Sequence, residues 1–325
     1  MAQPYDSLFD SLLNMTALVH IPVKLFTIYV VLRHTPHPMR YSSYFMLNTL
    51  LWNFLGNLVL SLMHPYPMYP ALCLRFEGVL SALSFADNEI FAHGMFLLLF
   101  ICILNCVLAQ ACLVTYRYLI FKWMHYLRPY RSLSVIALIH GGAMITTLIF
   151  YYRLMVLKSD YPLQSELPED TRFLFCFKPF GPEKQLAAYG FLAVVLGSIS
   201  SSFLFGLLLL RSIRKEEGKM EKLKLENHKK ILWTIIVVSV VPVCFGALPL
   251  VLAIYTLVYT HAPFAAPTFK ICVVIVGNHG TMLAVVLILS LKSYREAARG
   301  IFRMVVCFGK VTGVAPNALF VRSTK

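Results

Sequence analysis

Charge is what this 325-residue chain has little of. Asp, Glu, Lys and Arg together make up 14% of it, against roughly 25% in an ordinary globular domain. Hydrophobic residues make up 58%, and the mean hydropathy is +0.71. A water-soluble fold of this size has too small an interior to hide that much apolar surface. The composition therefore argues against a soluble enzyme, a disordered chain or a small disulfide scaffold. Acids are also missing from every long apolar run, which removes the carboxylate pairs of proton relays and hydrolytic dyads and the acid rings of cation channels. No Ser, His and Asp spacing suggests a triad, and no His/Cys cluster has metal-ligand spacing. Neither a catalytic residue nor a metal or cofactor is expected. Retinal attachment needs a Lys deep in the last apolar run, whereas Lys270 and Lys292 stand at its two ends. No basic stripe with interleaved aromatics points to nucleic acid.

What is there is a set of seven apolar stretches, 13–32, 44–63, 91–114, 133–157, 186–210, 231–259 and 269–291. Each reaches the length of about 20 residues that a membrane-crossing helix needs. The runs are continuous, unlike the alternating segments of about 10 residues in a membrane barrel. No internal repeat of the kind that builds transporters is visible. The expected class is an all-α membrane protein, a bundle of seven transmembrane helices occupying 1–310 with a short tail at 311–325.

Basic residues orient the bundle. The first, third and fifth loops and the tail hold 21 of the 29 Lys and Arg and only five acids, a net of +16. The remainder of the chain is net −2, and the amino-terminal segment has Asp6 and Asp10 with no Lys or Arg. The positive-inside bias then places the amino terminus outside and the tail in the cytosol. The first residues lack a basic n-region and a small-residue cleavage site, so no cleavable signal peptide is expected. Asn14-Met15-Thr16 matches a glycosylation sequon at the membrane edge, a poor position for use.

Of the eight cysteines, Cys73 and Cys176 are the two in loops read as outside, where disulfides persist, and a bridge between them is expected. Small residues recur at helical spacing: Gly190, Gly197 and Ser201 in the fifth span, and Pro242, Gly246, Pro249 and Ala253 in the sixth. Such stripes let membrane helices approach closely. Pro242 and Pro249 each remove a helix hydrogen bond and are candidate hinges. Lys24 inside the first span costs about 3 kcal/mol on insertion scales; it is expected to snorkel to the interface, with a ligand contact as the alternative. Asn105 is the polar member of a small-residue face on the third span, expected to make an interior hydrogen bond. Asp87, Glu89 and His93 at the outer end of the third span, with Arg153 at that of the fourth, are the charged groups placed to rim an outward cavity. After the seventh span, Arg295, Arg299, Ile301, Phe302, Arg303 and Val306 alternate basic and apolar faces, an interfacial amphipathic eighth helix. Cys307 there is a candidate for acylation.

Seven spans with an outside amino terminus suggest a heptahelical receptor, and particular residues narrow the likeness. His34-Thr35-Pro36 and Met39, Leu47-Asn48, Trp52, Asn57-Leu58, Ser61-Leu62, Pro65-Tyr66 and Pro70 resemble the first loop and second span of nematode class H serpentine chemoreceptors, the Srh group of the Str superfamily. The paired Val241-Pro242 and Leu248-Pro249, His279-Gly280, Tyr294-Arg295 and Thr115-Tyr116-Arg117-Tyr118 resemble the same family in order along the chain. Three departures stand out. Asn57 replaces a usual Asp, Thr115 or Tyr116 a usual Glu, and no Gln precedes Pro242. The resemblance implies a GPCR-like bundle that binds an environmental small molecule outside and signals through a heterotrimeric G protein, in the plasma membrane of sensory-neuron cilia. Asp87, Glu89, His93, Arg153, Asn105 and Lys24 are the candidate ligand contacts. Arg117, Tyr118, Arg128, Arg131 and Lys215 are the candidate contacts for the G-protein α subunit. A heptahelical ligand-gated channel or a small transporter is the alternative. The topology is tested by tagging both termini. In intact cells antibody reaches the amino-terminal tag, and the carboxyl-terminal tag stains only after permeabilisation; the reverse pattern overturns the orientation.

Overall fold

The computed structural model describes residues 4–36, 39–82, 87–123, 129–216 and 239–308. Its helices are α1 (Pro4–His34), α2 (Arg40–Met63), α3 (Glu89–Trp123), α4 (Pro129–Leu154), α5 (Pro182–Glu216), α6 (Leu248–Val258), α7 (Ala265–Ser290) and α8 (Lys292–Phe308). Seven stretches are long and apolar enough to cross a membrane, the sixth being Ser239–Val258. Arg128, most of the basic run at 211–230, the first part of the sixth span and the tail at 311–325 lie outside the described residues. So do the side chains of Arg131 and Cys307.

The helices overrun the apolar stretches. At 1.5 Å per residue the 35 residues of α3 extend about 52 Å, against a hydrocarbon core of about 30 Å. No Gly or Pro follows Val114 before 123 to stop the helix, so it runs on past the lipid-length segment. α3 packs on α2, α4 and α5. α4 instead exposes Leu138, Ile145, Leu148, Ile149 and Tyr152, the apolar exterior that lipid rather than water covers. Tyr294, Ala297 and Ile301 of α8 turn toward the bundle, while Arg299, Phe302 and Arg303 are exposed.

The sixth span is where the helix geometry changes. Pro242–Ala247 forms a π turn that runs directly into α6. Leu248 N–H bonds the carbonyl of Val243, one residue beyond the usual partner. Pro249 has no N–H to offer Phe245, so the α ladder is interrupted on both sides of the turn.

The two loops at one end of the bundle pair into a small sheet that no run in the sequence announces. β1 (Pro65–Pro67), β2 (Cys73–Phe76), β3 (Met155–Val156) and β4 (Leu174–Phe177) are antiparallel in the order β1-β2-β4-β3. Strands of two to four residues carry too little periodicity to be read locally. All four residues of β4 are buried, because both sheet faces are covered. Phe175 and Phe177 face the bundle with Phe76 and Phe96. Leu174 and Cys176 face a cap of Ala71 and Tyr161, whose hydroxyl accepts from Leu72 N–H at 2.9 Å. Burial holds the Tyr161 phenol above its ordinary pKa.

Cys73 and Cys176 are register partners on β2 and β4 and are joined by a disulfide. It closes a separation of 103 residues, but α3 and α4, threaded through lipid, already restrict that loop. The Cys176→Ser variant is therefore expected to lose about 2 kcal/mol, the low end for a native disulfide. Thermal melting of the purified protein with and without reductant measures it; an unchanged midpoint counts against the role.

Candidate functional site

At the sheet end, the start of α3 ties down the α4–α5 loop. The Asp87 carboxylate accepts from Phe173 N–H at 3.1 Å, and Glu89 accepts from Lys158 N–H at 2.8 Å. His93 is buried beside Tyr151, 3.0 Å from its hydroxyl, edge-on to Phe175 and Phe177. Arg153 is exposed at the end of α4, within electrostatic reach of Glu183.

Below the sheet, polar side chains join the helices in two groups. In the first, His279 of α7 holds its Nδ1 2.6 Å from the carbonyl of Val276, which can only accept, so Nδ1 carries the proton. Nε2 is then free to accept from Asn53 Nδ2 of α2 at 3.0 Å. Lys24 of α1 is fully buried and donates to the Asn53 carbonyl at 3.2 Å. It does not snorkel: it sits at mid-length of α1 facing α2, where a backbone carbonyl is nearer than the interface. The neighbouring Asn57 donates to Gly277 O. In the second group, His140 Nδ1 donates to Asn105 Oδ1 and its Nε2 accepts from Asn48 Nδ2 at 2.8 Å. This joins α2, α3 and α4 and is the interior bond expected of Asn105.

Two glycines make the first group possible. A Cβ on Gly280 would overlap the Asn53 side chain, and one on Gly246 would meet His279 at 3.2 Å. The sixth-span stripe is thus a close approach to α7. The fifth-span stripe is not: a Cβ on Gly190 or Gly197 would meet nothing within 4 Å, because α5 packs inward through Phe191 and Val195.

Among the described residues, two cavities lie between the helices. The central one, about 140 Å³, lies between α2, α3, the π turn and α7, lined by Asn53, Cys102, Gln110, Pro242, Gly246 and His279 among mostly apolar neighbours. The second, about 480 Å³, lies between α3, α4, α5 and the end of α6. Phe96, Phe100, Phe191, Ile254 and Leu257 line both and form the wall between them. Asp87, Glu89, His93, Arg153, Asn105 and Lys24 line neither.

At the opposite end, Thr35 donates to Val31 O and so accepts from the Tyr294 hydroxyl at 2.7 Å, clasping α8 to the end of α1. Burial raises the Tyr294 phenol above its ordinary pKa. Tyr116 stacks on Phe45 at 3.9 Å. Arg117 is within electrostatic reach of Tyr116 and Tyr294, and its Nε and Nη2 are buried with no hydrogen-bond partner among the described residues. Tyr118 packs on Leu209 and Ile213 of α5, and Lys215 is exposed at the end of that helix.

This seven-helix arrangement has a counterpart among known families. Residues 5–304 match the serpentine type 7TM GPCR chemoreceptor family Srh. The chain belongs to that family. No curated protein matches it. The receptor is therefore a multi-pass membrane chemoreceptor, and its motif residues acquire structural meaning: Thr35 meets Tyr294, and His279-Gly280 receives Asn53. Sequence reasoning passed over Asn53, His140 and Lys184. Their signal was a polar group within or at the end of an apolar run, since such groups in lipid turn inward and find one another.

Gly280→Ala should break the Asn53–His279 bond and leave both polar groups unpaired, costing about 1–3 kcal/mol. A lower melting temperature of the purified receptor checks this; a Gly280→Ala receptor as stable as its parent refutes the contact.

Proposed function

We propose that the receptor lies in the plasma membrane, in sensory-neuron cilia, with the sheet end outside and the α8 end in the cytosol. There it binds an environmental small molecule and signals through a heterotrimeric G protein. The distribution of basic residues supports the orientation. The observation that carries the mechanism is that one central cavity touches both the fixed part of the bundle and its bend. Asn53, Cys102 and His279 line it from α2, α3 and α7, and Pro242 and Gly246 line it from the π turn. A molecule held there has a different fit to each arrangement of the sixth helix, and that differential affinity is what shifts a population.

In this reading Lys24, Asn105, His93, Glu89 and Asp87 act on the ligand through the frame they hold, not by touching it. Arg153, exposed on the outer rim, meets the ligand on approach. The sixth helix pivots at Pro242 and Pro249. Its movement opens the inner end around Arg117, whose guanidinium, with Nε and Nη2 unpartnered among the described residues, is offered to the G-protein α subunit. Tyr118 and Lys215 border the same end, and with Arg128 and Arg131 of the basic third loop they supply the remaining contacts. The asparagine at position 57 donates to Gly277 O instead of serving as an acid.

A panel of volatile and water-soluble compounds screened in cells with a promiscuous G-protein α subunit identifies an agonist. With it, Arg117→Ala should reduce the evoked signal at least about tenfold, that is by roughly 1.4 kcal/mol or more of coupling, at unchanged surface expression. An undiminished response at normal expression overturns the mechanism.

A further inference from the structure

The larger cavity has a chemistry of its own. Ile139 and Thr146 of α4 and Val194 of α5 line it and are exposed, so it opens sideways between those helices, toward lipid. Its volume of about 480 Å³ falls within the roughly 300–1,000 Å³ of ligand pockets. A cavity of that size suits one chain-like molecule of modest length. The walls are mostly apolar, with Thr146, Thr147 and Tyr151 of α4 in the lining and Lys184 of α5 entering it at the sheet end.

Lys184 is half-buried, and its ammonium donates to Pro179 O at 3.1 Å and to Val258 O at 2.9 Å. Two of its three protons are thus placed. Both acceptors are neutral carbonyls, and among the described residues no carboxylate pairs with it. A cation withdrawn from water without a counter-charge is unfavourable, and an anion arriving through the membrane-side opening would supply one. Farther in, Gly190 keeps the channel wide, since a side chain there would meet no protein atom within 4 Å.

We propose that this chamber binds a single-chain amphiphile with an anionic carboxylate head, the head on Lys184 and the chain lying toward Phe96, Phe100 and Phe191. The shared aromatic wall then lets the bound chain press on the central cavity. This places a second ligand site beside the central cavity of the receptor proposed above, and its test reads binding alone, so it fails separately from the signalling test.

The full-length receptor, purified in phosphatidylcholine nanodiscs, is photolabelled with a diazirine analogue of dodecanoic acid and with the matching dodecanol. Acid labelling of α4 and α5 peptides is expected to fall at least about tenfold in Lys184→Gln and to return in Lys184→Arg, with alcohol labelling little changed. Gly190→Leu, whose Cβ has open space, should fill part of the chamber and reduce both labels while leaving the melting temperature unchanged. Unlabelled dodecanoic acid should compete, and phosphatidic acid in the disc should not. Equal acid labelling of the parent and Lys184→Gln, labelling insensitive to Gly190→Leu, or full competition by phosphatidic acid overturns the proposal.

Discussion

Inside a bilayer a polar side chain has no water to turn to, so it must find its partner within the protein, a hydroxyl on its own helix and a longer amide, imidazole or ammonium on another. That constraint organises this bundle. Asn53 is its centre: its carbonyl takes the Lys24 ammonium and its amide reaches His279. Three helices are joined at one residue, and the fit of Gly246 against His279 brings in the fourth. Interhelical bonds of this kind in membranes average only about 0.6 kcal/mol each. Their weight lies in registering the helices, since an unpaired donor at the same depth costs more than the bond returns.

The two ends of the bundle are built differently around that centre. One is closed by a covalently fastened sheet whose aromatic face continues into Phe96 and Phe100. At the other, among the described residues, the Thr35–Tyr294 clasp and the Tyr116–Phe45 stack join the helices, and Arg117 Nε and Nη2 have no hydrogen-bond partner. Between them the sixth span carries a π turn and two prolines. The proposed pivot of the sixth span rests on that interruption, set between a covalently fastened end and one joined by noncovalent contacts.

Much of this was legible one residue at a time. Span number and helical character follow from hydropathy, because lipid admits few alternatives. The eighth helix shows in its alternating faces, and Asn105 was expected to bond inside. The candidate ligand residues illustrate the limit. Charge near a span end marked Asp87 and Glu89, yet both carboxylates are taken by backbone N–H groups of the α4–α5 loop, about 70 or more residues away in sequence, a pairing that local pattern cannot encode. Lys24 was expected to snorkel because local cost alone was weighed, whereas a carbonyl 29 residues on lies within reach. Gly190 and Gly197 share a helical face, but which face meets a neighbour depends on how α5 is rotated against α3.

Hydropathy and the placement of prolines, cysteines and basic residues were enough to settle that the chain is a bundle of seven membrane helices with an amphipathic eighth, since one-dimensional composition decides what lipid will accept. Which polar groups pair, where the cavities open, how two loops form one sheet, and which lysines are enclosed were decided only in three dimensions. Those are contacts between residues far apart in sequence, and their energies exist only once the helices have chosen their rotation and depth.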